Sequence, residues 1–469
     1  MPRALIGTVS VGALVTVLAA TIVNVAIPTL GRELDASLLE VQWVATAYLL
    51  SLTAVIPLAG WASERFGARR VWLAALASFT AGSALCGAAP TAEALIVARV
   101  LQGLGGGLLL PIGQAIVVRG TDQRRLGQVL AVLALVNLSG PALGPVLGGL
   151  LVDEVSWRWL FLMNVPLCLI PLLLGLRLLP RERGVRGRRV DLVGLALLPP
   201  GLALLTYGLA RTAAGGGADA FALATLAAGV ALSGAFVLHA RGRGRGALLD
   251  LDLLADRGFR ACAAMAGSFG ALMFGMLFLL PLYWEAVRGS SALEAGLLML
   301  PQALGSLIAL LNVGRLADRH GSGTIVLTGL VIASLATVPS VFADETTSYA
   351  LLLPVLLARG LGLSMVLVPS NAAAFRGVPG STVPYATSLL TVLLRVGGSL
   401  GVAVVAAVLQ SRVGAALPGT SPAEQLELLH GGAGGVADVV APAFGVTAAV
   451  LLALTLITLA PARRVPRRP

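Results

Sequence analysis

Three arginines stand inside long uncharged runs of this 469-residue chain: Arg99, Arg359 and Arg395. A guanidinium stays charged in any protein and offers five N–H donors in a fixed fork. Its chemistry is therefore binding, not proton release. Buried among apolar residues it must pair with something, because an uncompensated charge there is costly. Two partners suit it: a carboxylate or anionic ligand group, or backbone carbonyls that it clamps together. Gln102 and Gly103 follow Arg99 by three and four positions, so on a helix all three share one face. Both uses of Arg99 stay open on these residues. Carboxylates are placed differently. No Asp or Glu falls in the middle of any long apolar run, and Glu285 sits beside Tyr283 and Trp284 at the end of one. Nothing arranges a nucleophile against a base. His239, His320 and His430 are scattered, and Cys86, Cys168 and Cys262 lie in apolar runs as small hydrophobes. An enzyme, a metal site and a bound cofactor are not expected.

The elements that carry these residues follow from composition. Hydrophobic residues make up 57% of the chain and charged ones only 12%, with a mean hydropathy of +0.92. A water-soluble protein of this length needs a far more polar surface, so the chain reads as a polytopic membrane protein. A spanning helix takes roughly 20 apolar residues. Fourteen such runs are centred near residues 18, 51, 80, 107, 138, 168, 200, 229, 272, 305, 333, 359, 396 and 449. The first follows a single arginine without a cleavage-like boundary and reads as a span, not a signal peptide.

The 33 basic residues are all arginine, and the net charge is +11. With the amino terminus placed in the cytoplasm, 25 arginines fall on cytoplasmic connections and tails, and five on the opposite side. Such a bias sets orientation and puts both termini in the cytoplasm. The basic charge thus serves insertion and anionic lipid, and no nucleic-acid partner is implied. The arginine, alanine and glycine load suggests a GC-rich bacterial genome, and hence a bacterial inner (cell) membrane.

The two halves repeat. Gly60–Gly67 (GWASERFG) is echoed by Gly314–Gly321 (GRLADRHG), an offset of 254. Arg99 with Pro111 is echoed by Arg359 with Pro369, and Gly140 with Gly144 by Gly397 with Gly401. Nearly constant offsets imply a duplicated six-helix unit. The expected fold is an all-α polytopic membrane protein. A six-helix bundle over 1–180 and another over 259–469 flank cytoplasmic linkers and two inserted helices in 181–258.

The stretch from Asn137 to Pro166 carries the most specific pattern. Gly140, Pro141, Gly144, Pro145, Gly148 and Gly149 lie in one uncharged run, followed by Trp157-Arg158-Trp159 and Asn164-Val165-Pro166. Glycines four apart give a flat helix face that admits close packing in lipid. This string resembles the antiporter motif of the major facilitator superfamily, in particular its fourteen-helix drug–proton antiporter branch. The turn holding Gly60, Glu64, Arg65, Gly67, Arg69 and Arg70 resembles the family's cytoplasmic loop signature, with Glu64 where aspartate is usual. Gly314, Asp318 and Arg319 form its second copy. The resemblance implies a cytoplasmic gate there. Arg99-x2-Gln102-Gly103 is similar to the family's fourth-helix motif, to which proton transfer is ascribed. The run Leu18–Pro28, with Asn24, looks like the first-helix motif, and Ala19 stands where that branch usually carries aspartate.

The resemblance implies a secondary transporter that exports amphipathic small molecules, drugs or antibiotics, with the proton gradient as energy source. Its pathway would be lined by Asn24, Arg99, Gln102, Glu285, Arg359 and Arg395, with Glu285 read as a hydrated group at the outer mouth. Arginines without a central carboxylate point to neutral, anionic or zwitterionic substrates over lipophilic dications. Two other readings share the fold: export of an endogenous metabolite or lipid, and a non-transporting membrane sensor. The partners expected are the bilayer and one small substrate, with the chain working as a monomer.

Overall fold

The computed structural model describes residues 3–36, 38–122, 125–181, 184, 190–211, 220–290, 292–416 and 437–465. Each of the fourteen apolar runs lies in helix, as a backbone without water to bond must pair within its own segment. In chain order the principal helices are α1 (Arg3–Thr21), α2 (Leu38–Val55), α3 (Leu58–Phe66), α4 (Ala68–Ala88) and α5 (Ala92–Arg119). They continue with α6 (Leu126–Glu154), α7 (Asn164–Leu178), α8 (Leu192–Arg211), α9 (Ala220–Arg243) and α10 (Arg257–Ala286). The last are α11 (Leu300–His320), α12 (Ser322–Val341), α13 (Tyr349–Ala374), α14 (Val383–Ala416) and α15 (Ala437–Ile457). Among the described residues twelve helices are long and apolar enough to cross a membrane, and α2 with α3 makes a pair bent by 58° that counts as a thirteenth if the two cross together. The bend falls at Pro57, which has no N–H to continue the ladder. The fourteenth run lies in α6, whose 29 residues reach about 43 Å; side chains 136–143, 145 and 146 lie outside the described residues.

Sequence punctuation fixes the helix ends. Thr91 caps α5, its hydroxyl accepting from Ala94 N, and Asp256 caps α10, its carboxylate accepting from Phe259 N at 2.7 Å. The repeat reaches down to single dihedral angles. Gly67 ends α3 and starts α4 at φ 88° and ψ 135°, and Gly321 ends α11 and starts α12 at φ 83° and ψ 141°. A side chain is strained at such angles, so both copies need glycine there.

The chain forms two compact units. One holds Met1–Ala203, Ala231–Leu253 and Phe375–Val392; the other holds Leu204–Val230, Leu254–Ala374 and Leu393–Pro469. The first has a core of Leu18, Ile22, Cys86, Trp157 and Phe161. The second has a core of Tyr283, Trp284, Leu352, Phe444 and Leu451. Large apolar side chains such as Leu173, Leu238 and Leu335 stand more than 60% exposed on spanning helices, which suits a surface wetted by lipid.

Candidate functional site

The first helix breaks where the sequence places its polar motif. α1 stops at Thr21, and Ile22–Ala26 continue as a tighter 3-10 turn. The last four carbonyls of an α-helix have no partner within it, and its end carries partial negative charge. Arg99 supplies what is missing. Its guanidinium, fully buried, donates to Ala19 O at 3.2 Å, to Val44 O at 3.0 Å and to Gln102 Oε1 at 2.5 Å. The Tyr48 ring covers it at 4.0 Å and Phe161 stands at 5.8 Å. Gln102 in turn donates to Ser83 Oγ at 2.6 Å, and Tyr48 OH donates to Thr16 O at 2.7 Å. Four helices, α1, α2, α4 and α5, are thereby tied at one point. In this geometry the donors of Arg99 lie on backbone carbonyls and an amide, the arrangement of a clamp.

The glycine motif meets the same break from the other side. A Cβ at Gly144 would collide with the Thr21 hydroxyl, lie 2.9 Å from Thr21 Cβ and reach Ile22 N at 3.3 Å. Gly148 is buried on the same helix, whereas a Cβ at Gly149 would meet nothing within 4 Å. The side chains of Asn24, Gly140's neighbour Pro141, and Pro145 lie outside the described residues, as does the surrounding of Gly140. Trp157 is 1% exposed and donates to Glu33 Oε2 at 3.1 Å, while Trp159 points outward at 47% exposure. The second unit repeats the close approach: Cβ atoms at Gly397 and Gly401 would run into the backbone of Gly267 and Ala271 on α10.

The second unit also repeats the buried arginine, but with different surroundings. Arg359 on α13 is 3% exposed and makes one hydrogen bond among the described residues, at 3.4 Å to Gln302 Oε1 on α11. Arg395 on α14 is partly buried, with its guanidinium 5.9 Å from the Phe274 ring. Glu285 is partly exposed at the end of α10. Beside it Tyr283 OH donates to Asp344 O at 2.9 Å and Trp284 stacks on Tyr349 at 5.9 Å. Arg288 covers Tyr349 at 4.4 Å and bonds carbonyls of 344–347, so Glu285 belongs to an aromatic and polar rim.

The charged turn is assembled from residues far apart in sequence. Tyr385 OH donates to Glu64 Oε2 at 2.7 Å, and its ring lies where a Cβ at Gly60 would come within 2.6 Å. Arg119, at the end of α5, donates to Gly380 O at 2.5 Å and Ser381 O at 3.3 Å. Arg69 reaches Leu176 O, Arg65 stands 5.9 Å from the Phe66 ring, and Arg70 is exposed. In the second copy Gly314 is buried and Arg319 exposed, and the Asp318 side chain lies outside the described residues. Tyr385 and Arg119 carry no motif of their own.

One polar cluster joins the start of α8 to α9 and the segment that follows it. Asp191, 2% exposed at the start of α8, accepts from Gly194 N at 3.0 Å, Leu248 N at 3.1 Å and His239 Nε2 at 2.8 Å. Arg243 stands 3.8 Å away. Burial raises the Asp191 carboxyl, but bonds from Gly194, His239 and Leu248 outweigh it and hold the group below the usual carboxylate value.

With this geometry in place, the comparisons with known proteins decide the family. The family model described as Major Facilitator Superfamily matches residues 9–402. The chain belongs to the major facilitator superfamily. A multidrug resistance protein B homolog of Mycobacterium tuberculosis is 37% identical over 393 residues, covering 83% of this chain and 73% of that protein. The putative multidrug resistance protein MdtD of Klebsiella pneumoniae is 32% identical over 386 residues, covering 82% and 81%. That of Escherichia fergusonii is 34% identical over 387 residues with the same coverage. Among solved structures, the human organic anion transporter MFSD10 (TETRAN) aligns at a TM-score of 0.65 with 18% identity, covering 97% of this chain and all of that one. It shares the fold. This superfamily member is thus a polytopic membrane transport protein with bacterial relatives named for multidrug resistance.

Proposed function

We propose that this transporter exports amphipathic small molecules, drugs or antibiotics among them, in exchange for protons, across a bacterial inner membrane with both termini in the cytoplasm. The observation that carries the export reading is the likeness, at 32–37% identity over more than four-fifths of the chain, to proteins named for multidrug resistance. A change of conformation during export is supported by the packing of Gly144 on the break in α1, because residues flanking a helix break can rearrange with little backbone cost; coupling to protons is carried by the resemblance of the glycine string to the antiporter motif. The arginine asymmetry supports the orientation.

The test is efflux of a chemically diverse compound panel from cells with and without the protein, at several imposed pH gradients. Export of some amphiphiles, slowed several-fold when the gradient is collapsed, is the expected result. Export untouched by the gradient would remove antiport, and an unchanged panel would remove export. Reporter fusions check the topology separately. Fusions at Arg186 and Arg243 should report the cytoplasm and one at Gly216 the outside; a cytoplasmic Gly216 would refute the two-helix insert.

A further inference from the structure

The repeat places one arginine in each unit at matching sequence positions, and their surroundings differ for a physical reason. Arg99 donates to the carbonyl of Ala19 in the last turn of α1, which gives way to a 3-10 turn after Thr21. The helix in the equivalent place, α10, runs unbroken for 30 residues from Arg257 to Ala286, so its mid-helix carbonyls are already bonded within it. The other partners change as well. The offset of 254 that relates the two charged turns carries Tyr48 onto Gln302, so an amide stands where the first unit has a ring over its guanidinium. Gly362 takes the position of Gln102, removing the amide three residues on.

Arg359 is left 3% exposed, eleven residues into a 26-residue helix and about 15 Å from its start. Among the described residues one of its five donors is engaged, at 3.4 Å. No carboxylate among the described residues lies within 4.0 Å of it. The backbone around it is held closely: Ser306 Oγ donates to Gly360 O at 3.1 Å, and Cβ atoms at Gly305 or Gly360 would run into the facing helix. The guanidinium therefore sits buried beside the close contact of α11 and α13, with donors to spare among the described residues in a medium where spare charge is costly. A planar fork of this kind matches a carboxylate or sulfonate in two-point contact.

We propose that Arg359, with Gln302 beside it, is an anion-binding site of the second unit that selects substrates carrying a carboxylate or sulfonate, whereas Arg99 is a positioning residue that touches no substrate. The inference rests on the export reading only for its meaning in transport; binding itself does not depend on it. Three probes with one ring system test it: naphthaleneacetate, its primary amide and naphthylmethylammonium, which are negative, neutral and positive. Titrated against the purified full chain, the acetate should bind at least about tenfold tighter than the amide, the range of a charge-assisted pair. Arg359→Gln should bring acetate and amide together, and Arg359→Lys should keep part of the preference. Gln302→Leu, which leaves the arginine in place, should weaken the acetate several-fold and serves if Arg359→Gln does not fold.

Equal binding of acetate and amide to the unaltered chain, binding of none of the three, or a preference that survives Arg359→Gln would each overturn the site. The same proteins in liposomes under a proton gradient separate the two readings. Selective acetate binding without movement of any probe upholds the site and counts against export. Export of amide and ammonium with no preference for acetate upholds export and overturns the site.

Discussion

Replacing Arg99 with leucine is expected to cost the first unit about 3 kcal/mol, because it leaves the neutral acceptors of a buried guanidinium without their donor. Val44 O, Ala19 O and Gln102 Oε1 all lose a charged donor, and Tyr48 and Phe161 lose the cation they cover. The end of α1 suffers most, since Ala19 O lies in its last turn, next to the change to a 3-10 turn after Thr21. At roughly 2–4 °C per kcal/mol for a unit of this size, the thermal midpoint of the purified protein should fall by about 10 °C. Arg99→Lys should fall between the two, as an ammonium cannot span three acceptors in one plane. Loss of transport without loss of thermal stability in Arg99→Leu would show that the guanidinium acts on the transported molecule instead.

Gly144→Leu is expected to abolish transport while the protein still inserts and folds. The hydroxyl of Thr21 and the backbone of Ile22 occupy the space that a side chain would need, and overpacking a tight contact costs about 1–3 kcal/mol. That is too little to prevent insertion but enough to drive α6 off the break in α1. Gly149→Leu is the control, because its Cβ would meet open space, and its transport should stay near normal. Equal activity of the two variants would detach the glycine motif from the mechanism.

Much of this was legible in the residues. Fourteen apolar runs declared the helices, and the spacing of Gly140, Gly144 and Gly148 declared a contact face. Arg99 and Gln102, three apart, announced a shared surface, and they are bonded. The partners across the fold were hidden. Tyr385 is 321 positions from Glu64 and Arg119 is 261 from Gly380, and no local pattern marks any of them. Whether Arg99 clamps carbonyls or holds a ligand turned on a helix break that Thr21, Asn24 and Pro28 mark in the sequence without saying which carbonyls it turns toward the arginine. Gln302 was recoverable, because the repeat offset that links Gly60 with Gly314 also links Tyr48 with Gln302. Asp191 and His239 gave no signal, being 48 residues apart in loops and helix ends.

The cluster at Asp191 bears on how such a chain can change its length. Leu248 N lies 3.1 Å from the carboxylate of Asp191, so the chain leaves for α8 and returns from α9 at the same doorstep. An excursion of two spans also restores the chain to the side of the bilayer it left. On the proposed topology, parity and proximity together make the stretch between these residues a cassette. A single in-frame deletion or insertion can remove or supply it, without rethreading a downstream helix or reversing the orientation of a downstream loop.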